Sequence, residues 1–248
     1  MARLKPVQNR LLEELPRKVS KIVRSECELV ELTEGDALSE AGEPIRDVYF
    51  RTESLFSLVA KVAEDLCLEV ALVGDEGMVG LPLLLGVETK PLRILVQRSG
   101  KAWRIKAETF KRVADTSPPL RRELGKYTFL RLEQVAQNAT CARAHKIEAR
   151  LARRLLMMQD RSHSDQFHAT QESLASMLGV RRSTVTCLAT TMQQRKIIQY
   201  NRGSLTVLDR KGLEEISCKC YRAAPVHRTG RRSQQASRHD SGIAEAGV

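Results

Sequence analysis

Between residues 170 and 192 the chain reads TQESLASMLGVRRSTVTCLATTM, and no other stretch restricts its fold as much. Two helices can cross at a fixed angle on a three-residue turn only if the first ends on a residue that tolerates a left-handed backbone, and Gly179 stands there. Leu174, Leu178, Val180, Val185 and Leu188 are spaced to bury together, while Ala175 is small enough for the two helices to approach closely. This combination predicts a helix-turn-helix, a requirement that arbitrary helical pairs rarely meet. Residues 197–208 read as two strands around Asn201-Arg202-Gly203, a turn whose residues accept positive φ, so a hairpin is expected beside the second helix.

Charge points the same way. Residues 1–142 carry 22 basic and 21 acidic side chains, whereas residues 143–221 carry 14 basic and 7 acidic ones. A near-neutral front half joined to a basic back half is the pattern of a sensor or enzyme module attached to a polyanion-binding module. On this reading the second helix, about 182–193, enters the DNA major groove with its first turn facing base edges. Arg182, Ser183 and Thr186 share a face there, with Thr184 in the same turn, and the guanidinium fork of Arg182 matches the O6 and N7 acceptors of guanine. Arg181 holds the position where a Ser, Thr, Asp or Asn would cap the helix, leaving free amides that a phosphate can satisfy. Thr170 and Gln171, opening the preceding helix, and Arg202, at the hairpin tip, are candidates for backbone contacts. The competing reading is a signalling protein whose basic domain docks an acidic protein, with Arg181 and Arg182 as solvated surface charges.

The front half has a different texture. Segments 28–32, 47–50, 55–62, 66–73, 93–97 and 102–105 are β-rich and alternate with glycine turns, which predicts an antiparallel roll of about eight strands. Ahead of it, Leu4, Val7, Leu11, Leu12 and Leu15 recur at helical spacing before Pro16. After Pro118-Pro119 comes a run with no further proline and one glycine up to residue 144, predicting a long helix. Phe129, Leu132, Ala136 and Ala139 form a narrow apolar seam on it, the pattern of a helix packing on a partner helix, here a second copy of the chain. The expected division is a sensor roll at 1–117, a dimerisation helix at 118–143, a DNA-binding domain at 144–221 and a disordered basic tail at 222–248.

Other classes are disfavoured. The longest apolar stretch, 78–87, is half of what a membrane span needs, and the N-terminus offers no apolar signal core, so a cytoplasmic protein is expected. Gly74-Asp75-Glu76-Gly77 and Gly80 lack a following Gly-Lys-Ser/Thr and are read as strand-turn glycines, not a phosphate loop. No catalytic constellation is visible, so no enzyme is expected. Six cysteines are scattered, and Cys218-x-Cys220 has only His227 as a nearby companion, so neither metal nor cofactor is expected. His145, His163 and His168 suggest no joint ligand set. Cys187, inside the reading helix, is a candidate for oxidation, against the plainer expectation that it packs between helices as a small hydrophobe.

TQESLASMLGVRRSTVTCL resembles the recognition motif of the Crp/Fnr family of bacterial transcription regulators, and IIQYNRGSLTVLDRKGLEEISCKCY resembles its wing and closing helix. LTEGDALSEAGEPIRDVYF and VALVGDEGMVGLPLLLG are similar to the start and the ligand cassette of the family's cyclic-nucleotide-binding roll. The resemblance, over residues 7–221, implies an α+β chain: an antiparallel jelly-roll-like β-roll, a long dimerisation helix and a C-terminal winged helix-turn-helix. It implies a homodimer reading a two-fold symmetric site in double-stranded DNA, with RNA polymerase as a further partner and the roll biasing the DNA-binding geometry. Two departures count against cyclic AMP: Leu81 follows Gly80 where nucleotide binders place a Glu, and no Arg-Ser-Ala or Arg-Thr-Ala appears near Arg93. The roll's ligand stays unknown. Only Cys27 stands in the N-terminal region where cluster-bearing members group their cysteines.

Overall fold

A computed structural model describes residues 9–63 and 66–223. The elements run α1 (Arg10–Glu13), α2 (Arg17–Ser25), β1 (Glu28–Leu32), β2 (Ala37–Ser39), β3 (Asp47–Arg51), β4 (Leu55–Ala63), β5 (Leu66–Val73), β6 (Met78–Val79), β7 (Arg93–Arg98) and β8 (Gly100–Lys106). A 3-10 turn, Leu81–Leu85, sits between β6 and β7. There follow α3 (Ala107–Asp115), α4 (Pro118–Ala144), α5 (Ile147–Ser162), β9 (Gln166–His168), α6 (Gln171–Leu178), α7 (Arg182–Gln194), β10 (Ile198–Asn201), β11 (Ser204–Val207), α8 (Arg210–Ile216) and α9 (Cys220–Ala223). The start of the expected N-terminal helix and nearly all of the expected tail lie outside the described residues.

The roll consists of two four-stranded antiparallel sheets, ordered β1-β8-β3-β6 and β2-β7-β4-β5. Its interior is apolar: Tyr49, Phe56, Val73, Val79, Ile94, Val96 and Ala102 close together, with Tyr49 and Phe56 edge to face at 6.4 Å. The outer face of β3 is buried too, because α1, α3 and the start of α4 lie over it, and Phe50 meets Phe110 there. That double burial explains why DVYFR does not alternate apolar with polar.

Pro118 fits the first turn of α4, where its missing N–H costs no hydrogen bond. Leu120, Leu124 and Tyr127 are buried against the roll, and Tyr127 fixes the register: its hydroxyl donates to the Met78 carbonyl at 2.9 Å and accepts from the Met78 amide at 3.0 Å. Gly77 is required here, since a Cβ would land on the Tyr127 hydroxyl. Arg131, one turn on, donates to Tyr127 at 2.7 Å and to the Leu72 carbonyl at 2.8 Å. The opposite face of α4 is bare: Phe129, Leu132 and Val135 are 61%, 65% and 41% exposed.

Leu151, Leu155, Leu156 and Met158 of α5 are fully buried, because the helix is held between the roll and the C-terminal helices in one core with Leu55, Leu72, Leu174, Val185 and Leu205. The last carbonyls of α5 accept from roll arginines, Arg51 to Arg161 and Arg98 to Ser162. Among the described residues no helix is long and apolar enough to cross a membrane.

Candidate nucleic-acid interface

The sequence requirement at Gly179 is met: it closes α6 at φ 66°, ψ 42°, and its N–H and that of Val180 return to carbonyls of α6. Leu174, Ala175, Leu178 and Val185 are buried, with Val180 and Leu188 packed against them. Crossing on this turn, α7 buries Val185, Ala189 and Met192, half-buries Thr184 and Leu188, and turns its remaining side chains outward.

Arg181 occupies the N-cap of α7 with an extended backbone and no side-chain capping bond, so the first-turn amides are free of an intrachain side-chain acceptor. Arg181, Arg182, Ser183 and Thr186 are exposed, whereas Thr184 is half-buried on the flank. Arg182 and Thr186 stand one turn apart on the outward face, and the Thr186 hydroxyl donates to Gln171 Oε1 at 2.6 Å. Gln171 thus ties the start of α6 to the middle of α7. Thr170 uses its hydroxyl as a cap, accepting from the Ser173 amide at 3.0 Å. Arg202 sits at the tip of the β10–β11 hairpin with φ 47°, and Gly203 follows at φ 88°, the positive pair a tight two-residue hairpin needs. Cys187 is exposed on α7, which corrects the expectation that it packs between helices.

A third strand, β9, pairs with β11, and the sheet is ordered β10-β11-β9. Three residues are too few for an alternation signal, so nothing in the sequence marks it.

Behind α7, charged side chains lock this part to the roll. Arg154 of α5 and Glu69 of β5 meet at 2.7 Å, both buried. Glu76, in the turn after β5, faces Arg161 of α5 at 3.2 Å and Arg131 of α4 at 3.6 Å. Burial alone would raise the Glu76 carboxyl, but Arg161 and then Arg131 outweigh it and hold it at about 2. The turn read from sequence as strand punctuation is therefore an acidic joint among three elements. Its glycine Gly74 leaves room for Arg161, whose Cγ would lie 2.7 Å from a Cβ there.

His145, His163 and His168 do not meet: His163 pairs with Asp75 and His168 with Glu34. His145 instead converges with Cys141, Cys218 and Cys220, a grouping absent from the sequence reading, while His227, the companion expected from spacing, lies outside the described residues. The pairs are 73 or more positions apart along the chain, so spacing alone could not join them.

A family model for the Crp-like helix-turn-helix domain matches residues 149–216. Among solved structures, the chain resembles FixK2 from Bradyrhizobium japonicum at 14% identity and TM-score 0.66, over 77% of this chain and 98% of that one. It resembles a Crp/Fnr-family transcriptional regulator of Thermus thermophilus at 22% identity and TM-score 0.64, over 77% and 98% of the two chains. The c-di-GMP-responsive global regulator CLP of Xanthomonas campestris matches at 15% identity and TM-score 0.65, over 77% and 99%. No curated protein sequence matches the chain. Residues 149–216 thus form a Crp-like helix-turn-helix domain, and from roll to wing the chain shares the fold of these solved Crp/Fnr-type structures.

Proposed function

We propose that the chain acts as a homodimer joined along α4, that it reads a two-fold symmetric operator with the first turn of α7, and that it contacts RNA polymerase when bound. The observation that carries this reading is the exposed start of α7, with Arg181 and Arg182 beside first-turn amides that no side chain caps. Arg182 is assigned a base, with Ser183, Thr184 and Thr186 bordering it. Arg181, Thr170, Gln171 and Arg202 are assigned phosphates. The bare stripe of Phe129, Leu132, Ala136 and Ala139 supports the seam, since apolar side chains this exposed on a regular helix gain by packing on a second copy. The corresponding division is roll at 1–117, dimer helix at 118–143 and DNA-binding domain at 144–221.

We place the regulatory input in the roll and assign it to a ligand other than cyclic AMP. The cavity bordered by Met78, Gly80, Leu81, Lys90, Leu92 and Arg131 has a volume of about 70 Å³ and mostly apolar walls. Pockets that enclose a ligand of drug size run to about 300 Å³ and above. Leu81 presents no hydrogen-bond acceptor to a ribose, and Arg93 pairs with Glu40 at 2.9 Å on the surface.

Selection of random duplexes by the full-length chain tests the reading. A two-fold symmetric consensus is expected; binding indifferent to competing duplex but lost to an acidic protein would favour the protein-docking alternative.

A further inference from the structure

Four side chains with no part in DNA reading converge where α4 gives way to α5. The Sγ atoms of Cys141, Cys218 and Cys220 and a ring nitrogen of His145 all lie within 4.8 Å of one another. Cys141 and His145 are one helical turn apart at the end of α4, and His145 closes that helix with its N–H on the Cys141 carbonyl. Cys218 and Cys220 flank the start of α9, at the far end of the DNA-binding domain. One pair thus comes from the end of α4 and the first residue of the two-residue link, His145 and Lys146, that joins it to α5, and the other from the chain beyond α8.

The geometry fits one small ion. Four ligands tetrahedrally placed at about 2.3 Å stand about 3.8 Å from each other. Here Cys141 Sγ lies 3.5 Å from Cys218 Sγ, and Cys220 Sγ lies 3.7 Å from His145 Nδ1. A cluster of several irons would hold its thiolates farther apart. The surroundings also suit thiolates: Cys141, Cys218 and Cys220 are 2%, 6% and 6% exposed, and Gln137 Nε2 donates to Cys220 Sγ at 2.9 Å. Arg153, itself buried, lies within electrostatic reach of all three thiols, and its Nε has no hydrogen-bond partner. Three thiolates and a neutral imidazole around a divalent ion leave one negative charge, which that guanidinium offsets.

We propose that Cys141, His145, Cys218 and Cys220 bind a structural zinc ion that clamps the link between α4 and α5. Binding releases the thiol protons to solvent and adds four ion–ligand bonds across a joint otherwise spanned by two extended residues. The clamp fixes the angle between the long helix and the domain that carries α7. The proposal stands without the DNA reading, because neither the ligands nor the test involve DNA.

The test uses the full-length chain, purified under reducing conditions, stripped with a chelator and titrated with Co²⁺. The expected result is one equivalent per chain, with thiolate-to-cobalt charge-transfer bands and the visible bands of a tetrahedral site, both displaced by Zn²⁺. Cys141→Ser and Cys218→Ser should abolish these spectra. His145→Cys should keep one-to-one binding with an altered visible band, which guards against loss through misfolding. Hydrogen exchange at residues 143–148 should slow when Zn²⁺ is added to the stripped wild type. Wild type that binds Co²⁺ no better than Cys218→Ser would overturn the site, as would a Cys141–Cys218 disulfide in protein kept reduced. Unchanged exchange at the link on saturation would overturn the clamp.

Discussion

Arg154 of α5 and Glu69 of β5 form an ion pair at 2.7 Å with both side chains buried, and Ser57 adds a hydrogen bond to the same carboxylate. Burial raises the Glu69 carboxyl, and Arg154 opposes that rise without cancelling it. The attraction thus leaves part of the desolvation cost uncompensated, which is the usual condition of such pairs. Glu69→Ala should destabilise the chain by about 3 to 5 kcal/mol, because Arg154 is left buried and unpaired. The double change Glu69→Leu with Arg154→Met should recover most of that loss in denaturant titration. If the double variant is as unstable as the single one, the pair is net stabilising and the argument fails.

Acid should loosen the joint at Glu76. Its carboxyl falls from an ordinary value of 4.5 to about 2 in the fold, so its contribution is fully present above about pH 4.5 and is lost as pH falls toward 2. At neutral pH the shift corresponds to about 3 kcal/mol. Glu76→Gln should lower the neutral-pH melting temperature and flatten the acid limb of the stability curve between pH 5 and 2; a limb as steep as wild type would assign it to other carboxylates.

Arg182→Ala should reduce the preference for operator over random DNA by about 1 to 3 kcal/mol, the range of a bidentate base contact. Arg202→Ala should weaken both alike and lower the salt slope by about one unit. Competition binding at two salt concentrations separates the two roles. An unchanged specificity ratio for Arg182→Ala would remove its base contact.

Leu132→Glu places a charge on the bare face of α4, where Leu132 makes little contact within its own chain. Light scattering should show dimer for wild type and monomer for the variant, while the melting curve of the isolated subunit changes little. A variant that stays dimeric would move the seam elsewhere.

Cys187 is exposed on α7, one turn beyond Ser183, on the surface proposed to enter the groove. Maleimide labelling followed by peptide mapping should modify it in free protein and be slowed by operator duplex, with random duplex protecting less. Equal labelling with and without operator would turn α7 away from the DNA.

Much of this architecture could be read from residue order because local chemistry demands it. Gly179 adopts the left-handed backbone its turn needs, Pro118 opens α4, and Arg202-Gly203 make the tight hairpin. The elements that escaped were of two kinds. Helices α2 and α3 are nine residues each and carry charges among their apolar positions, so their stripes are short. Strands β2, β6 and β9 have two or three residues, below the length at which alternation can be recognised. The side chains that join distant segments were out of reach for a different reason. Thr170 could be placed beside α7, but its use as a cap and the bond from Thr186 to Gln171 depend on how the helices cross. The Cys/His cluster is assembled only when the segment after α8 folds back onto the end of α4.

The turn at Gly179 touches more than its own two helices. A Cβ there would lie 2.6 Å from Leu68 Cδ2 on β5, and Ser176 nearby donates to the Cys67 carbonyl at 2.9 Å. Any larger residue at 179 therefore offends twice, once against its own dihedral and once against a neighbour supplied by the other half of the molecule. Lost repression or activation in such a mutant would be an ambiguous phenotype, reporting on recognition and on interdomain docking together. Trimming Leu68 would separate the two, since it removes the collision and leaves the dihedral penalty untouched.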